Sequence, residues 1–283
     1  MTIGYNVGTQ EQTDRPALEH WTAHHDRRLI PTMAHATLPA FTDHARITRK
    51  DGQLKMAKRY PRVFVPGTST LLLSDASKMP TLSWSLPAGE SCPWALYGEG
   101  TICGDCYAMK GRYVMPNVAA AQRTRFEWVR QCLKSDEGTD TLVSTLVDAI
   151  RRAGNLYFRV HDSGDLFSPA YVRAWIRVCR ALPEVTFWFP TRAWRVLTMR
   201  KLSDRTRHEW ALALTELAGL PNVTMRPSAL FFNAPAPRVP GMAAGTTACA
   251  EGFSCPAATQ GNVCGSCRAC WTATTTEISY HQH

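Results

Sequence analysis

The chain has 283 residues, 45% hydrophobic and 19% charged, the balance of a globular protein of one large or two small domains, and it excludes a peptide that needs staples to fold. No apolar run approaches the ~20 residues that cross a bilayer, so no membrane contact through a spanning helix is expected. Lys and Arg number 32 against 23 acids, a net charge of +9, which suits a polyanionic partner such as nucleic acid or a nucleotide without identifying one.

The N-terminal residues Met1 to Asn6 offer neither a basic region nor an apolar one, and a cytoplasmic protein is expected. In a reducing compartment the 10 cysteines read as metal ligands or redox groups rather than as a disulfide framework. Residues 1–67 form an irregular, basic N-terminal segment expected to pack on the core. Its histidines, His20, His24, His25, His35 and His44, read as surface residues. Seven bases between Arg46 and Arg62 face one acid, Asp51, a stretch that suits phosphate contact and a solvated edge equally.

From residue 68 to 233 short β-like runs alternate with amphipathic helical ones, the pattern of βα units on a parallel sheet. Strands are expected at Thr70–Leu73, Leu156–Val160, Val185–Phe189 and Val223–Met225. Helices are expected at about Asn117–Leu133, Thr139–Ala153, Ser168–Leu182 and Ser203–Ala218. Ser168 before Pro169 has the form of an N-cap with proline in the first turn, and Gly219 is a helix stop. The expected fold is α/β: a partial or TIM-like (βα) barrel of mostly parallel strands. A cysteine-rich tail, residues 234–283, follows it. That tail is poor in apolar residues, so metal coordination is the physical candidate for ordering it.

Cys132 and Cys179 lie inside helical patterns and read as small buried hydrophobes. The other eight cysteines fall in two groups, Cys92-x10-Cys103-x2-Cys106 and Cys249-x5-Cys255-x8-Cys264-x2-Cys267-x2-Cys270. The second repeats the spacing by which ferredoxins hold a cubane, with Cys255-Pro256 in the form of the remote fourth ligand. Cys255, Cys264, Cys267 and Cys270 are therefore assigned to one 4Fe-4S cluster, with Cys249 as a spare. Three thiolates in the first group would leave one iron open to a substrate or to S-adenosylmethionine. Zinc is the alternative, since tetrahedral sites also take Cys-x2-Cys pairs, and Cys249 could complete the first group.

Parallel strands gather the residues that follow them on one face, where barrel enzymes place their chemistry. Those residues are His161, Asp162, Ser163, Gly164 and Asp165 after one strand, Thr191 and Arg192 after the next, and Arg226 after the last. Asp162, Asp165 and His161 are the candidate acid–base groups, and Ser163, Gly164, Thr191, Arg192 and Arg226 the candidate substrate contacts. The competing roles are a helix cap for either aspartate and a simple ion pair for Arg192. No phosphate-cradling glycine loop is present.

The segments Ser91-Cys92-Pro93, Cys103-Gly104-Asp105-Cys106-Tyr107-Ala108-Met109-Lys110-Gly111-Arg112-Tyr113, Arg159 to Ser168, Phe189-Pro190-Thr191-Arg192 and Cys264 to Trp271 resemble the uncharacterised bacteriophage gene product 88 family. The Cys-x2-Cys-Tyr-Ala and Asp-Leu-Phe stretches are similar also to the three-Cys-motif phage proteins. Both families look radical-SAM-like, which implies a partial barrel with a cluster at the strand ends and a place in the host cytoplasm. The chain departs from the usual radical-SAM pattern in the ten residues between its first two cysteines. The leading expectation is an iron–sulfur enzyme that modifies a nucleotide, nucleic acid or small metabolite. The alternatives are a base-exchange enzyme with structural zinc, since Asp162-Ser163-Gly164 is faintly similar to transglycosylases, and a non-catalytic, metal-stabilised nucleic-acid binder.

Overall fold

The computed structural model describes residues 62–76 and 78–282 and, as backbone, the strands β1 (His44–Thr48) and β2 (Leu54–Lys58). β1 and β2 pair in a two-stranded sheet, so this part of the N-terminal segment is not irregular as expected. The basic side chains from Arg46 to Arg59 and the N-terminal histidines lie outside the described residues. Everything below belongs to the compact unit Ala45–His283.

The centre is a four-stranded sheet of β3 (Ser83–Ser85), β4 (Tyr157–Ser163), β5 (Thr186–Thr191) and β6 (Val223–Pro227), all parallel and in sequential order. The expected first strand, Thr70–Leu73, is instead a turn in which Leu71 bridges back to Phe64. The sheet begins on Ser83-Trp84-Ser85, too short a run to show a period. Among the described residues β3 and β6 are the two edges and do not pair with each other, so the sheet is open and no closed barrel is seen.

Helices α1 (Pro116–Cys132), α2 (Asp136–Arg152), α3 (Pro169–Ala181) and α4 (Asp204–Ala218) connect the strands, each packed on the next. Their ends follow local chemistry. Ser135, Ser168 and Ser203 cap α2, α3 and α4 by accepting from Gly138 N, Tyr171 N and Thr206 N at 3.0, 3.2 and 3.2 Å. Pro169 occupies the first turn of α3 as expected. The cap at Ser135 starts α2 three residues before the expected Thr139, with Asp136 and Glu137 in the first turn and Arg151 and Arg152 in the last, the favourable sense for the helix dipole.

Alternation along the strands sends Phe158, Phe187 and Phe189 toward the helices, where all three meet the Trp175 ring of α3. The intervening residues, Tyr157 and Trp188, meet Trp271 from the C-terminal tail instead, at ring-centroid distances of 5.9 and 5.2 Å. The tail thus covers the face of the sheet that the helices leave bare. Trp271 is 3% exposed, its indole N–H donates to Phe158 O at 3.1 Å, and Thr224 of β6 donates to its carbonyl at 2.8 Å.

The tail carries its own parallel pair, β7 (Thr246–Cys249) and β8 (Ile278–His281). Ser228, just past β6, bridges to Thr246. Arg226, expected at the mouth as a substrate contact, is placed differently. It sits inside β6, is 0% exposed, and its guanidinium donates to the carbonyls of Ala244, Ala269, Cys270 and Thr272 at 2.5 to 3.1 Å. A residue within a strand projects perpendicular to the sheet rather than off its end. Arg226 therefore pins the tail, which gains protein anchors in addition to any metal.

Candidate functional site

The C-terminal end of β4 is irregular. Trp84 of β3 pairs with Val160, but the next residue, Ser85, pairs with Ser163. Two residues of β4 are squeezed out of the ladder, and His161 takes a φ of 73°. That left-handed conformation is uncommon for a residue with a side chain and costs on the order of 1–3 kcal/mol, so the surroundings must enforce it. The bulge turns the His161 ring toward α3, where Nε2 lies 3.0 Å from the Tyr171 hydroxyl. Trp84 donates its indole N–H to the same hydroxyl at 2.7 Å. The Tyr171 hydroxyl thus joins Trp84 to His161, whose Nε2 accepts from it or donates to its second lone pair according to the ring tautomer. Nδ1 is buried without a hydrogen-bond partner. Burial, with Arg159 nearby, pushes the His161 pKa down to about 3, so the ring is neutral near pH 7.

Asp162 is 4% exposed. Its Oδ2 accepts from the Tyr113 hydroxyl at 3.2 Å, and its backbone oxygen accepts from the Tyr107 hydroxyl. Its Oδ1 is buried with no partner. The two tyrosine rings meet edge to face at 5.7 Å, and Arg159 Nη2 donates to Tyr107 at 3.0 Å. Burial lifts the Asp162 carboxyl above the ordinary carboxylate range, against the pull of Arg159, the Tyr113 hydrogen bond and Arg125. A buried carboxyl with one oxygen unsatisfied and a raised pKa is a group that can hold and release a proton.

Asp165 differs. Its Oδ1 accepts from the Thr191 hydroxyl at 2.6 Å and from Leu166 N at 2.7 Å, and its Oδ2 accepts from Arg192 N at 2.8 Å. It ties the end of β4 to the end of β5, and α3 is capped by Ser168 instead. Burial raises its carboxyl too, opposed by these same donors and by the Arg192 charge. Thr191, besides meeting Asp165, accepts from Ala193 N at 2.9 Å. Ser163 donates to Leu86 O at 2.8 Å, and the Arg192 Nε donates to Ala229 O at 3.1 Å. Gly164 has a φ of 88°, and a Cβ there would fall 2.6 Å from Ser91 Oγ and 2.8 Å from Leu86 Cβ. Only glycine lets the segment that carries Ser91 and Cys92 lie so close to the strand end.

That closeness brings the first cysteines in. The Cys92 thiol is pushed up to about 12 by burial first, then by the Asp165 charge, with Cys106 and Cys103 adding to the shift and a Gly89 backbone hydrogen bond opposing it. Burial also raises Cys106, with Cys103 adding and Arg192 and the amides of Ala108 and Met109 opposing. The three thiols are therefore near enough to act on one another, with Asp165 acting on Cys92 and Arg192 on Cys106. Their loop is tightly tied: Thr101 donates to Gly98 O at 2.7 Å and accepts from Gly104 N at 3.0 Å. A Cβ at Gly104 would meet Gly98 O at 2.2 Å.

The second group gathers at the tail. Burial raises Cys264, with Cys255 and Cys267 adding to the shift, and Lys78 and Arg159 oppose it. Burial pushes Cys270 up to about 11, with Cys255 and Cys264 adding and Tyr280 and Arg159 opposing. Tyr280 Oη lies 3.3 Å from Cys270 Sγ. Cys249 directs its thiol to the Tyr280 carbonyl at 3.9 Å and is not among the thiols acting on Cys264 or Cys270. Among the described residues no group of three or more His, Cys, Asp and Glu is arranged to hold a metal ion. The donor chemistry of both groups nonetheless fits a soft metal. Buried thiols that penalise one another's ionisation are relieved when a cation shares their charge, and thiolates are the ligands of zinc and iron–sulfur centres.

The structure thus brings Asp162, Asp165, Ser163, Gly164, Thr191 and Arg192 together with Cys92, Cys103 and Cys106, and separates Arg226 from them. Sequence reasoning missed Tyr113, Arg125 and Arg159 as neighbours of Asp162. The signal for Arg159 was available: Tyr157 and Arg159 alternate with the apolar Phe158 and Val160, marking a strand face that the helices do not cover.

No helix among the described residues is long and apolar enough to cross a membrane. No solved structure matches the chain. It is similar to the Gene 88 protein of Mycobacterium phage L5, 40% identical over 118 residues that make up 39% of this chain and 47% of that protein. It is likewise similar to the Gene 88 protein of Mycobacterium phage D29, 36% identical over 118 residues with the same shares. The chain thus spans less than half the length of these curated relatives. A family model described as Gene product 88 matches residues 44–273, a stretch that includes both cysteine groups and all four strands of the central sheet, and the chain belongs to this bacteriophage family.

Proposed function

We propose that this chain is an iron–sulfur enzyme of the radical-SAM-like kind, acting on a nucleotide, nucleic acid or small metabolite. Cys92, Cys103 and Cys106 would hold a reactive cluster at the mouth, and Cys255, Cys264, Cys267 and Cys270 a second one in the tail. The observation that carries the reading is the juxtaposition at the mouth. Cys92, Cys103 and Cys106, one buried and two half-buried, act on one another at parallel strand ends, with Asp165 beside Cys92, and Asp162 keeps one buried oxygen unpartnered. A cluster on three thiolates leaves one iron position for an outside ligand such as S-adenosylmethionine or substrate, and it supplies one-electron chemistry there.

The chain's own residues have separable tasks in this reading. Asp162 holds or releases a proton at its free Oδ1. Arg192 offers positive charge to an anionic group, and Asp165 positions it by holding its backbone amide. The left-handed His161 keeps the bulge that presents Asp162.

The test is anaerobic purification followed by measurement of iron, acid-labile sulfide and visible absorbance. A brown protein with two clusters is expected. Cys106→Ser and Cys267→Ser should each remove about half of the iron. A colourless protein with two zinc ions per chain would overturn the reading and favour the base-exchange or nucleic-acid-binding alternatives.

A further inference from the structure

One guanidinium stands between the two cysteine groups. Arg159 lies half-buried in β4, beside its register partner Trp188 in β5, and its guanidinium carbon is 4.7 Å from the centroid of the Trp188 ring. Its three nitrogens reach different segments. Nε donates to His161 O at 3.1 Å, Nη2 donates to the Tyr107 hydroxyl at 3.0 Å, and Nη1 reaches the Met79 thioether at 3.7 Å. The first two contacts belong to the mouth, since His161 forms the bulge and Tyr107 follows Cys106. The third leads to the tail, since the carbonyl of Lys78, the residue before Met79, accepts from Cys264 N at 3.0 Å. Trp188 leads there too: its ring meets that of Trp271, the residue after Cys270, at 5.2 Å.

Arg159 stays a cation in this position. Burial opposes its charge, but Tyr107, Asp162, Tyr113 and Tyr280 outweigh burial and raise its pKa above the ordinary guanidinium value. The charge favours the thiolate form of both Cys264 and Cys270. The other cations of this region are placed differently. Lys78 acts on Cys264, whereas Arg226, which feels Cys270, has its guanidinium committed to tail carbonyls. Arg268 gives Nη1 to Gly265 O and Cys267 O and lies over the Tyr157 ring at 5.3 Å. Four thiolates carry more negative charge than a zinc ion or a 4Fe-4S core removes. A closed centre on the half-buried Cys255, Cys264, Cys267 and Cys270 therefore leaves net negative charge partly out of water, which is costly unless a cation shares its surroundings.

We propose that Arg159 is the charge-balancing, positioning residue of the tail centre: anchored on the mouth through His161 and Tyr107, it supplies the positive charge with which the tail thiolates keep their metal. The anchors hold the guanidinium in place before any metal arrives, so little is lost in ordering it when the centre forms. Retention of the tail metal is thereby tied to the mouth. This deepens the iron–sulfur reading, and rests on it only in that the tail thiols hold a metal, since zinc on the same thiolates calls for the same charge.

The experiment is a chelator challenge of the anaerobically purified full chain, with metal analysis and timed alkylation of the released thiols, each modified cysteine being identified by mass spectrometry. Thermal unfolding checks that each variant is folded. In Arg159→Gln the release of Cys264 and Cys270 is expected to be about tenfold faster or more, the scale of loss when an outer partner of a metal centre is removed. Arg159→Lys keeps the charge without the planar fork and should restore most of the retention. Met79→Leu removes the thioether contact alone and should leave retention unchanged. The proposal is overturned if Arg159→Gln keeps its metal as the parent does. A folded Arg159→Lys that loses metal as fast as Arg159→Gln overturns it as well, because the fork and not the charge would then matter. Parent tail thiols that react at once without chelator, as bare thiols do, would remove both this proposal and the iron–sulfur reading. Zinc in place of iron, with its release governed by Arg159 as expected, would uphold the proposal and remove that reading. Iron release indifferent to Arg159 would do the reverse.

Discussion

The two cysteine groups sit on very different foundations. Around the tail group most of the polar atoms are matched, the buried indole nitrogen of Trp188 against Trp271 being an exception. Arg226 meets the carbonyls of Ala244, Ala269, Cys270 and Thr272, Trp271 meets Phe158 O, and Thr224 meets Trp271 O. Around the mouth group they are not. His161 Nδ1, Asp162 Oδ1 and Gln122 Nε2 are buried and unpartnered, and His161 is held at a φ of 73°. Unmet polar groups and strained backbone cost stability and persist where surrounding structure enforces them. The tail is organised as a scaffold, whereas the mouth retains the kind of local cost that a ligand can relieve.

The comparison breaks most sharply at Arg226. Arg226→Met leaves at least four part-buried carbonyls without their donor, and a loss of about 3 kcal/mol or more is expected, since each stranded acceptor that water does not reach costs about 1–3 kcal/mol. Thermal unfolding measures it, and limited proteolysis should show cleavage within residues 234–283. A variant as stable and protease-resistant as the parent would remove the scaffold role. Arg226→Lys should rescue only in part, because an ammonium has three donors and lacks the planar fork.

Gly164→Ala tests how the mouth is assembled. The added methyl would stand 2.6 Å from Ser91 Oγ at a φ of 88°, so a cost of about 1–3 kcal/mol is expected. The displaced segment should make Cys92 more reactive toward an alkylating reagent, read by mass spectrometry, while the tail thiols keep their rates.

The pH dependence separates the regions again. Burial holds the folded pKa of His161 at about 3, below the ordinary imidazole value of 6.5. The unfolded chain therefore binds the extra proton first, and the contribution is fully present above pH 6.5 and is lost as pH falls toward 3. The raised carboxyls of Asp162 and Asp165 act in the opposite sense, so the signal is the difference from His161→Asn, a residue that tolerates a left-handed φ. Denaturant unfolding at pH 7 and pH 5 should show a shallower loss in the variant. Equal losses would mean that His161 does not titrate as its burial implies.

The smallest expected effect on stability is at Asp162. Asp162→Asn keeps the shape and removes a buried charge that has one unmet oxygen, so stability should stay within about 1 kcal/mol of the parent or rise. Asp165→Asn places an amide where three donors point, and it should cost about 1–3 kcal/mol. Loss of turnover in the stable Asp162 variant would support its proton-handling role. The opposite ordering of the two variants in urea titrations would reassign the roles.

The alternation of β runs with amphipathic helices, the cap at Ser168-Pro169 and the grouping of the cysteines were legible in the sequence, because each depends on contacts within a few residues along the chain. The first strand was not: Ser83-Trp84-Ser85 is too short to carry a period, and its place in the sheet comes from pairing with β4. The role of Arg226 was not legible either, since following the apolar core of a strand does not reveal whether a residue leaves the strand's end or one of its faces. Sequence by itself picked out which side chains bear thiol, carboxyl and imidazole groups in clusters and that strand ends would collect many of them. Tertiary structure decided which of them meet. The two-residue slip of β4 against β3, the approach of Ser91 to Gly164 and the hydroxyl of Tyr113 at Asp162 are all contacts between distant segments. Their geometry is set by register and packing across the sheet, which no local pattern encodes.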